Sequence, residues 1–321
     1  IQRNVQPINQ PVTEGINHPV VHITQALLNL WFRNELNDND GLPDDIKAIF
    51  TALCDTQVHR FRHGRVILSA HLMSLFRVDR DWTERHLLPL FDWERGAPEA
   101  RAAWEGFLWS PRLYLPLLTA FKSAFLQTAG HYAEFGEHGR QFAAFMTYAA
   151  LEPLDGYTAT DFQGAFGVLP IEGLRGAAQA LSQAMEGVGE QREEYWKNRI
   201  WPFWQNNWPK SGDLVSPGIA GHLARMAIAA GNQFPAALAA IESWLTPIEH
   251  PDYLVKLLKK AGHCRRFGQD SLKLLSAIMS QQRWGWEEID QCLAEIVSGA
   301  PELASDPRYY RLHERAYQRG G

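Results

Sequence analysis

Apolar residues recur at intervals of three and four along most of the chain, which is the spacing of one face of an α-helix. The first such segment places Val20, Ile23, Leu27, Leu30 and Trp31 on one face. No segment alternates apolar and polar residues for the length that a strand needs. The pattern therefore predicts an all-α protein. Further segments with helical spacing contain Ile46, Ile49, Phe50 and Leu53; Leu68, Leu72, Leu75 and Phe76; Leu238, Ile241, Trp244 and Leu245; and Ile289, Leu293, Ile296 and Val297.

Proline marks the starts of these segments, because it is tolerated at the first helical position and interrupts a helix that has already formed. Ser216 and Asp306 stand directly before Pro217 and Pro307, where their side chains can cap a helix. We expect roughly fifteen helices of about 10 to 18 residues, joined by short connections that make neighbours antiparallel. The prolines that open helical segments are Pro19, Pro43, Pro98, Pro217, Pro235, Pro251, Pro301 and Pro307.

The predicted helices show only weak internal similarity, such as the apolar residues around Pro89, Pro202 and Pro247. A strict repeat of the tetratricopeptide or ankyrin kind is absent from the sequence, so we expect an irregular HEAT-like α-solenoid of antiparallel helical hairpins. Residues 1–17 are predicted to be a linker or N-terminal extension, and 18–321 a helical repeat-like domain. Clusters of Pro, Gly and polar residues at 152–158 and 208–217 are candidate seams.

Composition narrows the class of protein. The chain has 321 residues, of which 45% are hydrophobic and 21% charged, and its formal net charge is −5. This balance indicates a folded globular protein, and the negative net charge argues against general coating of nucleic acid. Cys54, Cys264 and Cys292 are far apart and form no CxxC pair, so we expect neither a disulfide framework nor a cysteine zinc site, and a reducing cytoplasm. The chain begins at Ile1, and we expect it to be part of a larger protein.

Sequence motifs predict no catalytic residue, cofactor site or metal site. The chain contains no GxxxxGK[ST] loop, no GxGxxG motif and no GxSxG elbow. His59 and His63 are four residues apart, but arginines and a phenylalanine separate them where a metalloprotease would supply a glutamate. We therefore predict a fragment that is not itself an enzyme, although a hydrolase site assembled from scattered His, Asp and Glu residues stays open as a third hypothesis.

Arginine and tryptophan are the best candidates for contacts with a partner, because both residue types are enriched at interface hot spots. The segment from His59 to Arg65 interleaves cations with an aromatic ring, and arginines recur every three or four residues along the last predicted helix. Each group also has an ordinary explanation, as solvated surface or as packing between helices. The candidate partner-binding residues are Arg60, Arg62, Arg65, Trp201, Trp204, Trp208, Trp284, Trp286, Arg308, Arg311 and Arg315.

Residues 82–93 (WTERHLLPLFDW) and 104–111 (WEGFLWSP) resemble a C-terminal helical region of large bacterial anti-phage defence proteins. Weaker similarity at 250–251 and 301–308 extends the resemblance over most of the chain from about residue 18. In such proteins the N-terminal part is often a sirtuin-like NAD-hydrolysing domain. The resemblance implies that this effector lies outside these 321 residues, and that the helical part senses infection or holds the assembly inactive.

Two functions follow as hypotheses. The first is a cytoplasmic, non-enzymatic sensor, regulatory or scaffold module of a bacterial anti-phage protein, which binds a phage-derived trigger or other parts of the same protein. The alternative is a nucleic-acid-binding helical array that uses the arginines of residues 60–65 and of the last helix. Salt-dependent binding to DNA or RNA would favour the alternative.

Overall fold

The computed structural model describes residues 18–279 and 287–317, and its regular elements are helices. Within these ranges there is no strand, and one isolated parallel β-bridge joins Ile248 to Met279. The predicted all-α class is therefore confirmed. In the same ranges, no helix combines the length and the apolar character needed to cross a membrane.

Contacts divide the chain into two compact units. Unit 1 comprises residues up to 145 together with 153–168, and unit 2 comprises 146–152 together with the residues from 169 onward. The last six residues of the helix that ends at Leu151 thus belong to unit 2.

Unit 1 is built from short α-helices and three 3₁₀ segments, with one wide π turn. Its α-helices are α1 Pro19–Trp31, α2 Asp44–Leu53, α3 Arg62–Ala70, α4 Leu72–Val78, α5 Arg80–Trp82, α6 Ala97–Leu108, α7 Leu115–Ala120, α8 Lys122–Gln127, α9 His138–Leu151 and α10 Ala159–Gly167. Its π turn is Thr83–Leu87, and its 3₁₀ segments are His59–Phe61, Leu88–Phe91 and Thr128–Phe135.

Unit 2 contains the longest helix of the described chain, α11. Its α-helices are α11 Ile171–Gly187, α12 Arg192–Tyr195, α13 Trp201–Asn206, α14 Pro217–Ala229, α15 Phe234–Ile241, α16 Asp252–Lys260, α17 His263–Arg266, α18 Gly268–Ile278, α19 Glu287–Gly299 and α20 Pro307–Tyr317. A π turn lies at Trp196–Ile200, and 3₁₀ segments lie at Gly189–Gln191, Gly212–Leu214, Gly231–Gln233, Glu242–Trp244 and Pro301–Ser305.

Proline is the first residue of three of the predicted α-helices, α1, α14 and α20, and the second residue of α6 and α15. Helix α14 begins at Pro217, and the Ser216 hydroxyl accepts a hydrogen bond from the Ile219 amide at 3.4 Å. Helix α20 begins at Pro307, and Asp306 accepts one from the Arg308 amide at 2.7 Å. The prediction of an α-helix that begins at Pro301 is wrong, because residues Pro301–Ser305 form a short 3₁₀ helix.

The predicted buried face of α1 is wrong. The structure buries Trp31 as expected, but Ile23 is 60% exposed and Leu30 57% exposed. The buried face instead includes Thr24, whose hydroxyl donates to the Val20 carbonyl at 2.7 Å. Because this bond satisfies the hydroxyl inside the helix, a polar residue can face the core and the apolar stripe can turn outward.

Aromatic side chains form the centre of unit 1. Trp104 of α6 packs edge-on against Phe91 at 4.9 Å between ring centroids and stacks on Phe121 at 5.2 Å. Its indole nitrogen donates to the Phe91 carbonyl at 3.1 Å, so the one polar atom of the ring is satisfied. This cluster fixes α6 in the interior and brings its two ends to the surface.

Unit 2 contains a disulfide bond between Cys264 of α17 and Cys292 of α19. The expectation of no disulfide was therefore wrong. The two Cα atoms lie 5.6 Å apart although 28 residues separate the cysteines in sequence. Close packing brings them together: a Cβ atom at Gly299 would lie only 2.1 Å from the Arg265 carbonyl oxygen.

Candidate functional site

Arg65 lies inside unit 1, so the hypothesis that it contacts a partner is wrong. Its side chain is buried, at 1% exposure. Its Nη1 donates to the carbonyls of Leu53 at 3.1 Å and Asp55 at 2.9 Å, and its Nε donates to Glu99 at 2.9 Å. These bonds tie the end of α2 to α3 and α6, which is a structural role. The sequence did not predict this burial, because the cationic segment from His59 to Arg65 has the composition of an exposed surface.

Arg62 shares the same carboxylate. Its Nε donates to the second oxygen of Glu99 at 2.7 Å, while Arg60 stays exposed with its guanidinium 5.3 Å from the Phe61 ring centroid. Burial acts to raise the pKa of Glu99, but the hydrogen bonds from both arginines outweigh it, and the pKa lies below its ordinary value. Glu99 is therefore held ionised.

The tryptophan candidates, like the arginines, include both buried and exposed residues. Trp204 and Trp208 are buried and stack on each other at 5.2 Å, and Trp208 meets Trp244 edge-on at 5.3 Å. The prediction that these two residues contact a partner is wrong, because other side chains of unit 2 cover them. Trp201 remains exposed. Trp284 and Trp286 lie outside the described residues.

Only some of the arginines predicted to form an exposed row along α20 are free to contact a partner. Arg308 is paired with Asp306, with Nη2 at 2.7 Å from Oδ2. Arg311 is exposed and Arg315 half-buried. The stripe thus offers fewer outward charges than its spacing indicates.

A polar cleft of about 460 Å³ lies on unit 1, between the residues that follow α2, the π turn and the start of α6. We call it the arginine cleft. Three arginines, three carboxylates and two histidines contribute to it, together with smaller side chains. Its lining residues are Thr51, Cys54, Asp55, Thr56, His59, Arg62, Arg85, His86, Pro89, Leu90, Asp92, Arg95, Gly96, Pro98 and Glu99.

Proline explains why a π turn borders this cleft. In a continuous α-helix, the ring of Pro89 would collide with the carbonyl of Arg85, four residues earlier. The wide turn at Thr83–Leu87 accommodates it, and the Leu88 amide reaches back five residues to the Thr83 carbonyl. Arg85 and His86 lie on this turn and line the cleft. The pKa of His86 is lowered by burial and by the charge of Arg85.

Three groups in the arginine cleft that could act in catalysis, those of Cys54, Thr51 and Glu99, are protonated or already engaged. Burial raises the pKa of the Cys54 thiol to about 12, so it stays protonated and weakly nucleophilic at neutral pH. The Thr51 hydroxyl donates to the Lys47 carbonyl at 2.7 Å and accepts from Trp82 at 2.8 Å. Glu99 is paired with Arg62 and Arg65. Across the described residues, no three His, Cys, Asp or Glu side chains are grouped to hold a metal ion.

A second cleft of about 610 Å³ lies on unit 1 beside the C-terminal end of α6. We call it the aromatic cleft. Apolar and polar side chains contribute about equally, and the pKa of His71 within it is lowered by burial. Its lining residues are Gln25, Ile67, Ala70, His71, Met73, Ser74, Phe107, Trp109, Ser110 and Arg112.

The segment that follows α6 presents large apolar side chains to solvent. Trp109 is 50% exposed, Leu113 39% and Leu115 41%, and Arg112 between them is also exposed. Trp109 and Arg112 line the aromatic cleft. Sequence reasoning did not select these residues, although apolar side chains around Pro111, beyond the end of a helical pattern, were a usable signal.

Comparison of the chain with protein-family models, curated proteins and solved structures gives no match.

Proposed function

We propose that this chain is a protein-recognition module, and that the exposed segment 109–115 beside the aromatic cleft is where a partner binds. In this proposal it serves as a non-enzymatic sensor or scaffold within a larger bacterial anti-phage defence protein. The cytoplasmic location expected from the cysteines loses that support, because Cys264 and Cys292 form a disulfide. The proposed architecture is an irregular HEAT-like solenoid of helical hairpins. The resemblance of residues 82–93 and 104–111 to such proteins supports the biological setting.

The observation that carries the proposal is the exposure of Trp109, Leu113 and Leu115 in one short segment. Folding leaves 39 to 50% of the surface of these side chains in water. Because full burial of such a side chain is worth about 1.5 to 3 kcal/mol, covering the exposed remainder by a partner would be worth roughly half of that for each. Trp and Arg are also the residues that most often dominate binding energy. Arg112 would select a partner with a carboxylate near its apolar side chains.

The nucleic-acid hypothesis is weaker, because Arg62, Arg65 and Arg308 are engaged with carboxylates of the chain itself. Exposed arginines such as Arg60 and Arg311 still leave it as the alternative. Labelled DNA and RNA should therefore show no binding to the purified chain that falls steeply with salt. The hydrolase hypothesis stays open as a third candidate, because His59, His86, Asp55, Asp92 and Glu99 line one polar cleft, although Glu99 is paired with two arginines. The purified chain should also leave NAD intact.

Site-specific crosslinking tests the proposal. A photoreactive amino acid at position 113 should give a discrete adduct with one protein in phage-infected cells, and Trp109→Ala should reduce that adduct strongly. The matched control is the same photoreactive amino acid at position 253, since Tyr253 of unit 2 is also exposed, at 50% against 39% for Leu113. Equal, diffuse labelling from both positions, or an adduct at 113 that survives Trp109→Ala, would contradict the proposal.

A further inference from the structure

The arginine cleft holds one more arginine than carboxylate when the buried network beneath it is included. Arg62, Arg85 and Arg95 line it with Asp55, Asp92 and Glu99, and Arg65 shares Glu99 without lining the cleft. Arg95 lies 3.3 Å from Asp92. For Arg85, no ion pair is found among the described residues. A planar guanidinium of this kind suits bidentate binding of a phosphate group.

The carboxylates determine what else the ligand must carry. Asp55 and Asp92 each accept one backbone hydrogen bond, from the Gln57 and Glu94 amides at 2.9 Å. Their remaining lone pairs can accept hydrogen bonds from hydroxyl groups. The same carboxylates would repel a continuous chain of phosphates. A volume of about 460 Å³ is in the range of small-molecule sites.

We propose that the arginine cleft binds a small phosphorylated molecule with several hydroxyl groups, of the sugar phosphate class, with Arg85 as its principal phosphate ligand. The Asp55 and Asp92 carboxylates bind the hydroxyls, and Arg62 is kept in place by Glu99. This site is separate from the segment 109–115, and its occupancy does not depend on a protein partner.

The test uses ribose 5-phosphate as the probe, with broadening of its ³¹P resonance as the readout. Binding should saturate at one molecule per chain. Inorganic phosphate should compete more weakly because it lacks the hydroxyls, and ribose alone should not compete. Arg85→Gln should weaken binding about tenfold, since it removes a charged hydrogen-bonding partner. The control is Arg33→Gln, which changes an exposed arginine of the same unit outside the cleft and should leave binding unchanged.

Three results would overturn the assignment. The first is a ³¹P linewidth that increases without saturation. The second is equal binding of the probe by Arg85→Gln and Arg33→Gln. The third is displacement of the probe by an oligonucleotide of about 16 nucleotides at lower concentration than by inorganic phosphate, which would assign the cleft to a nucleic-acid strand. Because Arg85 is exposed, both variants should keep the unfolding midpoint of the parent chain, and this is measured first.

Discussion

Each unit contains a π turn that ends two residues before a proline, Thr83–Leu87 before Pro89 and Trp196–Ile200 before Pro202. In unit 1 the turn brings Arg85 and His86 to the arginine cleft. The corresponding residues of unit 2 face carboxylates at its own surface. Asn198 lies 3.4 Å from Glu194, and Arg199 lies 3.8 Å from Glu152.

The residues after each proline differ as well. In unit 2, Trp204 and Trp208 follow Pro202 and pack together in the interior. In unit 1, Asp92 and Arg95 follow Pro89 and line a cleft. The comparison shows that proline imposes the same local backbone twice, whereas the neighbouring side chains decide whether the turn supports packing or presents polar groups for binding.

The central helix pairs of the two units are held by different interactions. Helices α3 and α6 of unit 1 approach closely at Gly106, and their ion pairs join Arg62 and Arg65 to Glu99. Helices α11 and α14 of unit 2 instead meet through small and aliphatic side chains. The fully buried residues of this pair include Ala177, Ala178, Leu181, Ala220, Leu223 and Ala224. Unit 2 also has its disulfide.

Removing the disulfide should give the largest effect. Replacing Cys264 and Cys292 by alanine frees a 28-residue loop in the unfolded chain, which should cost about 3 to 4 kcal/mol of unfolding free energy. Urea unfolding of the oxidised parent and the variant measures the difference. As a control, Cys54→Ala should leave the effect of reductant unchanged. A parent chain whose unfolding is insensitive to reductant would show that the bond does not form.

Arg65→Met should cost about 3 kcal/mol, because it leaves the Leu53 and Asp55 carbonyls and the half-buried Glu99 carboxylate with fewer partners. The comparison variant, Arg60→Met, changes an exposed arginine in the same sequence segment and should cost less than about 0.5 kcal/mol. The measurement is the urea midpoint followed by circular dichroism. Equal losses for both variants would contradict the buried network.

Gly106→Ala should destabilise unit 1 by about 1 to 3 kcal/mol, because its Cβ would lie 2.3 Å from the Val66 carbonyl oxygen. The matched control is Gly221→Ala on α14, where no atom lies within 4 Å of the new Cβ. That change should stabilise the chain by about 0.5 to 1 kcal/mol through helix propensity. Thermal unfolding of the two variants should shift in opposite directions, and a shared direction would refute the close approach.

His263 should make stability depend on pH by about 1 kcal/mol or less. Burial lowers its pKa in the folded chain, although its Nε2 lies 2.8 Å from the Ile228 carbonyl. As pH falls from 7 to 5.5, the unfolded chain therefore takes up a proton that the folded chain resists, and stability decreases. His263→Gln should make this slope shallower, whereas His250→Gln, at an exposed position, should not. An unchanged slope in His263→Gln would rule out this source.

Local features of the fold could be predicted from the sequence, and contacts between distant residues could not. Proline and capping residues act on their immediate neighbours, so the starts of α1, α14 and α20 are confirmed. The orientation of α1 depends on how Thr24 bonds inside the helix, and the burial of Arg65 depends on Glu99, 34 residues away. The cysteine pair and both clefts likewise need residues from separate segments. Spacing along the chain carries no information about them.

The central claim is that Trp109, Leu113 and Leu115 are available for recognition because folding leaves 39 to 50% of their surface exposed. Urea unfolding of the triple alanine variant tests this most directly, beside Trp104→Ala in the buried cluster. We predict that the triple variant loses less stability than Trp104→Ala, which loses about 3 to 5 kcal/mol. A triple variant that loses as much as Trp104→Ala would show that segment 109–115 stabilises the fold, and would contradict its assignment as a binding surface.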